Sequence, residues 1–258
     1  MVNNFFQVIG NQRLDIYMNT YFVSDFHLGL PFLDPRAREE KVVRFFNSIQ
    51  STASDIYLLG DIFDFWFEYK TVVPRGFVRF LGKLAALSDA GVRVHFLAGN
   101  HDAWAKEYLT EECGVEVIHG SRTLTIGGKN FFLAHGDYLG SRSATEKILH
   151  RIFHNRIIQK LFGSLHPRWG VGFGHLWSRH SRAAKGIAVP FRGEAENLYL
   201  FALQHSGNNA IDYFIFGHRH TPIAMQLPTG AQLVILSDWI TDSTYVVFDG
   251  EQVRVERF

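Results

Sequence analysis

YFVSDFHLGL, Tyr21 to Leu30, begins as the kind of apolar run that forms a buried strand, then sets a carboxylate and an imidazole two residues apart. Either group left unpaired away from water costs several kcal/mol. Asp25 and His27 therefore suit a strand end that opens onto a cleft, where together they make half of a divalent-metal site. The pattern recurs along the chain. Gly60-Asp61 ends DIYLLGD, Gly99-Asn100-His101-Asp102 follows VRVHFLA, His135-Gly136-Asp137 ends NFFLAHGD, and Gly217-His218-Arg219-His220 ends DYFIFGHRH. Each cluster alone reads equally well as a turn or a satisfied polar cap. Five of them, each closing an apolar run at the same end, point to one site outside the carboxyl ends of the strands. Gly60, Gly99, Gly136 and Gly217 let the backbone turn sharply there and admit a ligand closely.

Between these runs, 35–52, 74–90 and 102–112 carry apolar residues at helical spacing, as in Val42, Val43, Phe46 and Ile49. Asp34 and Pro35 suit a helix start, and Gly91 a helix stop. Strand and helix alternating in this way predict a parallel sheet covered on its faces. TLTIGGKNFFLAH reads as a hairpin about Gly127-Gly128. The short runs of the last fifth predict an antiparallel portion. The expected fold class is α/β, a mixed pair of sheets with helices outside.

The 258 residues, 47% hydrophobic, are ample for one large core. One cysteine, Cys113, excludes a disulfide framework and a cysteine-based zinc site, and fits a reducing compartment. No apolar run approaches the ~18 residues of a membrane span, and the first residues lack the features of a secretory signal. MNTYFVSD reads as a natural beginning, which makes Met18 the expected start and 1–17 an N-terminal extension.

Segment 141–186 interrupts the pattern. It holds nine basic residues against Glu146 alone, whereas the whole chain carries only +1. Within KILHRIFHNRIIQKLF, Leu149, Phe153, Ile157 and Leu161 make one apolar stripe, with Ile148, Ile152, Ile158 and Phe162 roughly opposite. One stripe can face the core, and the other needs a separate apolar partner.

The motif series resembles that of the calcineurin-like metallophosphoesterase superfamily: D-x-H at Asp25/His27, G-D-x-x-D at Gly60 to Asp64, G-N-H-D at Gly99 to Asp102, then His135, and G-H-x-H at Gly217 to His220. The resemblance implies a double-β sandwich flanked by helices over 18–258, with 141–186 as a helical cap insertion. It implies two divalent ions, one held by Asp25, His27, Asp61 and His220 and the other by Asp61, Asn100, His135 and His218. Oxygen and imidazole donors without thiolate favour Mn2+, with Fe2+ or Zn2+ as alternatives. His101 is then the general acid on the leaving-group side. Asp102 either orients its ring or caps a helix over 103–112, and Asp64 supports a ligand rather than being one.

GDIFDFW and GNHD depart from the protein-phosphatase strings G-D-x-x-D-R-G and G-N-H-E. Phe63, Phe65, Trp66 and Phe67 make either plain core or an aromatic wall beside Asp61. With the basic, apolar insertion, SDFHLG, GDIFDFWFEY, HGDYLG and HPRWGVGFGHLWSRHSRAAKG resemble the UDP-2,3-diacylglucosamine diphosphatase family of lipid A synthesis. That family splits a pyrophosphate to give UMP and 2,3-diacylglucosamine 1-phosphate. The resemblance implies substrate contacts at Asn100, His101, Ser178, Arg182 and Lys185, each of the last three equally readable as part of a solvated face. It also implies a cytoplasmic protein peripheral on the inner face of the inner membrane. The best-known branch has Gly-Asn-Arg-Asp where this chain has Gly-Asn-His-Asp, so the contact made by that arginine is in doubt. Phosphodiester hydrolysis of a soluble nucleotide or nucleic acid is the alternative; apolar stripes without a base-stacking series speak against nucleic acid. A non-catalytic scaffold is disfavoured, because all seven ligand positions are filled.

Overall fold

A computed structural model describes residues 6–9, 12–15, 18–140, 144–153, 155–185 and 190–258. β1 (Phe6–Ile9) and β2 (Gln12–Asp15) pair as a small antiparallel ribbon. The first large sheet is built on β3 (Asn19–Val23), β4 (Ala53–Leu58), β5 (Arg93–Leu97) and β6 (Glu116–Ile118), all parallel. Their crossovers are α1 (Pro35–Ile49), α2 (Val78–Asp89) and α3 (Tyr108–Cys113). The second sheet contains β7 (Arg122–Ile126), β8 (Lys129–Ala134), β9 (Tyr213–Phe216), β10 (Ile223–Gln226) and β11 (Gln232–Ile235). β12 (Thr244–Phe248) and β13 (Val253–Arg257) return to the first sheet, which has the order β13-β12-β3-β4-β5-β6.

The sheets pack face to face, and alternation along each strand shows why. Phe22 on β3 stacks on Phe131 of β8 between the sheets, with ring centroids 5.6 Å apart. Its neighbours Tyr21 and Val23 point the other way, into a core shared with α1 and α2. α7 (Asn197–Ser206) covers the outside of the second sheet. The result is the expected sandwich flanked by helices.

Local signals explain most boundaries. Asp34 caps α1, its carboxylate accepting the Arg36 and Ala37 amides at 2.9 and 3.2 Å. Gly127 and Gly128 both have positive φ, as the tight turn joining β7 to β8 requires. Three expectations need correction. α2 starts at Val78 rather than 74, after a turn that leaves Phe77 left-handed. α3 starts only at Tyr108, because 102–107 belongs to the site loop. The last fifth is antiparallel only in part, since β9 runs parallel to both β8 and β11. The long connection from β8 through α7 returns the chain in the same direction.

The insertion forms α4 (Ala144–Phe153), α5 (Arg156–Gly163) and α6 (Pro167–Lys185). The two apolar stripes read over 147–162 do not lie along a single helix. Asn155 caps a new helix, accepting the Ile157 and Ile158 amides. The break mixes the stripes: Phe153, Ile158 and Phe162 turn inward, while Ile157 and Leu161 are exposed. Leu149's side chain lies outside the described residues.

Candidate metal centre and its apolar cavity

The five polar loops converge. Asp25 and His27 follow β3, Asp61 and Asp64 follow β4, Asn100 and His101 follow β5, His135 follows β8, and His218 and His220 follow β9. The loops are laced by main-chain bonds: the Asp25 amide to Gly60 O at 3.0 Å, the His27 amide to Asp61 O at 3.0 Å, and the Gly217 amide to His135 O at 3.0 Å. Asp25, His27, Asp61, His218 and His220 all have positive φ, between 45° and 68°. Such backbone is costly for non-glycine residues and persists where surrounding structure imposes it, characteristically at functional sites. Arg38, from α1, helps impose it by donating to the carbonyls of Phe26 and His27.

Three donor groups result among the described residues: His27 gathers with Asp64 and His101, and the seven expected ligands form the other two. In one, His220 Nε2 lies 3.1 Å from both Asp25 Oδ1 and His27 Nε2. In the other, His135 Nε2 lies 3.2 Å from Asp61 Oδ2 and 3.3 Å from Asn100 Oδ1 and His218 Nδ1. Asp61 Oδ2 is also 4.0 Å from His27 Nε2, between the groups. Metal–ligand bonds of about 2.1 Å at right angles put adjacent donor atoms ~3 Å apart, so these donors already stand at coordination spacing.

The backs of the rings fit the same chemistry. His135 Nδ1 donates to Leu59 O at 2.9 Å, which leaves the Nε2 lone pair facing inward. His220 Nδ1 faces Asp238 Oδ2, and His27 Nδ1 faces Asp64 Oδ1, both at 3.8 Å. Burial, then the neighbouring His135, push His218 down to about 4, whereas for His135 burial is outweighed by Asp61, which holds the ring well above the usual range. Burial opposes the charge on Asp61, yet His135 and then His101 hold its carboxyl well below the usual range. All seven expected residues therefore come together as a set suited to divalent metal.

His101 also reaches this centre, with Nε2 3.9 Å from Asp61 Oδ2. Its Nδ1 donates to the main-chain carbonyl of Asp64 at 2.8 Å. Asp102 does not orient that ring, and it caps no helix. Its buried carboxylate accepts the Gly99 and Ile62 amides, both at 2.7 Å, and so braces two ligand loops. Burial and then the Asp61 charge push that carboxyl up to about 7, against the pull of the Gly99 and Phe63 amides.

Asn100 and His101 also border a cavity of about 390 Å³ between the loop after β4 and the cap. Phe65, Trp104, Phe153, Phe162, Phe173 and Trp177 supply much of its wall. The aromatic run thus divides: Phe65 and an edge of Trp66 line the cavity, while Phe63 is plain core and Phe67 packs on Trp104 and Phe162. Trp104 Nε1 donates to Phe153 O at 2.6 Å, fastening the cap where α4 ends.

Ser178 is buried and donates to both carboxylate oxygens of Asp64, at 3.0 Å each. Its hydroxyl proton is engaged with the core rather than presented to the cavity. The side chains of Arg182 and Lys185 lie outside the described residues. Sequence reasoning missed Asp238, Arg38 and Trp104. Asp238 had a signal, an acid at the end of the run AQLVILSD. Arg38, on a helix face far from any motif, had none.

The sequence pattern described as calcineurin-like phosphoesterase matches residues 18–222. A UDP-2,3-diacylglucosamine hydrolase of Porphyromonas gingivalis is 42% identical over 251 residues, covering 92% of this chain and 96% of the relative. A protein of the same name from Neisseria gonorrhoeae is 30% identical, covering 90% and 95%. A solved archaeal phosphodiesterase aligns with 93% of this chain and all of its own at a TM-score of 0.48 and 13% identity. With the family's motif series intact and its donor groups assembled, the chain belongs to the calcineurin-like phosphoesterases, and it is a hydrolase.

Proposed function

We infer that the protein hydrolyses the pyrophosphate of UDP-2,3-diacylglucosamine to UMP and 2,3-diacylglucosamine 1-phosphate, a step of lipid A synthesis. The observation that carries this reading is the apolar cavity opening beside Asn100 and His101. A phosphoester centre that adjoins an aromatic-lined cavity suits a substrate with both phosphate and hydrocarbon. Two relatives that align over nearly their whole length bear that substrate in their names.

Asp25, His27, Asp61 and His220 would hold one ion, and Asp61, Asn100, His135 and His218 the other, with Mn2+ favoured by the oxygen and imidazole donors. Bound divalent ions supply charge neutralisation at phosphate and an acidified water. The protein's own contribution begins with placement, as the cap holds the acyl chains against Phe65 and Trp104. His101, fixed through Nδ1, turns Nε2 toward the centre, where its protonated form donates to the leaving oxygen. Arg182 and Lys185 are assigned to substrate phosphate, and Asn100 and His101 to contacts at the cavity mouth.

The cap exposes Ile157, Leu161, Trp169 and Leu176 together with Arg156, Lys160 and Arg168. We assign these residues to peripheral contact with an anionic membrane on its cytoplasmic side, at about 1 kcal/mol per nearby basic residue. Among the described residues no helix is long and apolar enough to cross a membrane.

Incubation of Mn2+-loaded protein with UDP-2,3-diacylglucosamine, following UMP, tests the activity. UMP release is expected. Hydrolysis of bis-(p-nitrophenyl) phosphate without any UMP release would overturn the substrate and favour a soluble phosphodiester.

A further inference from the structure

We propose that Asp64 is a positioning residue that ties the cap to the metal centre, with Ser178 of α6 as its anchor. Contacts from the cap and from both sides of the centre meet on this one buried residue. Ser178 Oγ donates to both carboxylate oxygens at 3.0 Å. Oδ1 faces His27 Nδ1 at 3.8 Å. The main-chain carbonyl accepts from His101 Nδ1 at 2.8 Å.

The anchor depends on how closely α6 lies on the loop after β4. Gly170, Gly174 and Ser178 stand at four-residue spacing and so share one helix face. A Cβ at Gly174 would stand 2.5 Å from Phe65 Cγ, and one at Gly170 would strike the Tyr69 hydroxyl. Gly174 above all lets α6 lie close enough on this loop for Ser178 to reach Asp64.

A carboxylate behind an imidazole favours the tautomer with its proton on Nδ1 and its lone pair on Nε2, and makes the ring a better ligand. His27 Nε2 is the nitrogen turned toward Asp25 and His220. A hydroxyl donating to both oxygens fixes the carboxylate plane, so the seat of α6 sets the orientation of His27. This inference rests on the metal reading of the site and not on the identity of the substrate.

The test is titration calorimetry of Mn2+ into metal-stripped protein, with thermal midpoints recorded alongside. Asp64→Asn keeps the shape and the main-chain carbonyl, and should weaken one of the two Mn2+ sites about 10–100-fold. Ser178→Ala should weaken the same site by up to about tenfold, leaving the other within about twofold. Because Ser178 acts through Asp64, the double variant should bind no more weakly than Asp64→Asn alone. Unchanged affinity in Ser178→Ala, even with a lowered thermal midpoint, would overturn the proposal, as would additive losses in the double variant. Should Asp64→Asn fail to fold, Ser178→Ala decides alone. Since no lipid substrate is used, failure of UMP release leaves the outcome readable.

Discussion

Gly99 and Asp61 stand so close that a Cβ on the glycine would lie 2.6 Å from the Asp61 amide nitrogen and closer still to Oδ1. Asp61, the residue proposed to bridge the ions, is thus seated against bare backbone of a neighbouring loop. Gly99→Ala cannot be accommodated by a rotamer change, because part of the obstacle is main chain. It should displace Asp61, lower stability by about 1–3 kcal/mol, and reduce both Mn2+ content and hydrolysis. Urea denaturation with metal analysis checks this. An alanine variant that keeps two ions and full turnover would refute the packing argument.

The His101 amide donates to Asp61 Oδ1 at 2.9 Å, but its ring comes no nearer to the Asp61 carboxylate than 3.9 Å, and it is not among the seven expected ligands. His101→Ala should therefore keep both metal ions while kcat on a poor leaving group falls about 10²–10⁴-fold. The loss should shrink for p-nitrophenolate, which leaves without a proton. Equal losses on both substrates would remove the acid role.

Ile158 borders the cavity from α5. Filling the space with Ile158→Trp should lower kcat/KM for the diacylated substrate about tenfold or more, in proportion to the 1–3 kcal/mol typical of overpacking. Turnover of bis-(p-nitrophenyl) phosphate should hardly change. A parallel fall on both would mean that the cavity does not hold the acyl chains.

Far from the centre, Asp55 accepts from Arg93 at 2.7 and 2.6 Å and pairs with His95 at 3.1 Å. Burial raises its carboxyl, but hydrogen bonds from His95, Arg93 and Ser54 outweigh this and hold it at about 2. The unfolded value is about 3.9. The folded state thus prefers the ionised form: the stabilisation is complete above pH ~4 and is lost as pH falls toward 2. Asp55→Asn should cost about 1–2 kcal/mol at pH 7, the figure being discounted for Arg93's exposure. The two urea midpoints should converge as pH drops below 4. Curves that stay parallel would contradict the linkage.

The residues of the candidate centre were legible in the sequence because each is tied to a local event, a polar cluster closing an apolar run. Strand ends are read from composition, and parallel strands bring their carboxyl ends together. Asp102 was misread for a related reason. Its position after Gly-Asn-His suggests the His101 ring or a following helix as partner, but its bonds run to main-chain amides, Gly99 three residues back and Ile62 40 residues away. The cap was harder still. Its stripes assumed one helix, and the break before Asn155 rotates α5 relative to α4. Which face of α6 meets the core depends on Gly170 and Gly174 fitting Tyr69 and Phe65, a three-dimensional match that no periodicity reveals.

Metal stoichiometry bears most directly on the central claim that seven side chains, from Asp25 to His220, seat two divalent ions. Metal-stripped protein is reconstituted with Mn2+, desalted, and assayed for Mn per chain. Two ions in the unaltered protein and at most one in Asp61→Ala are the expected values. Fewer than two in the unaltered protein, or two retained by Asp61→Ala, would contradict the shared centre.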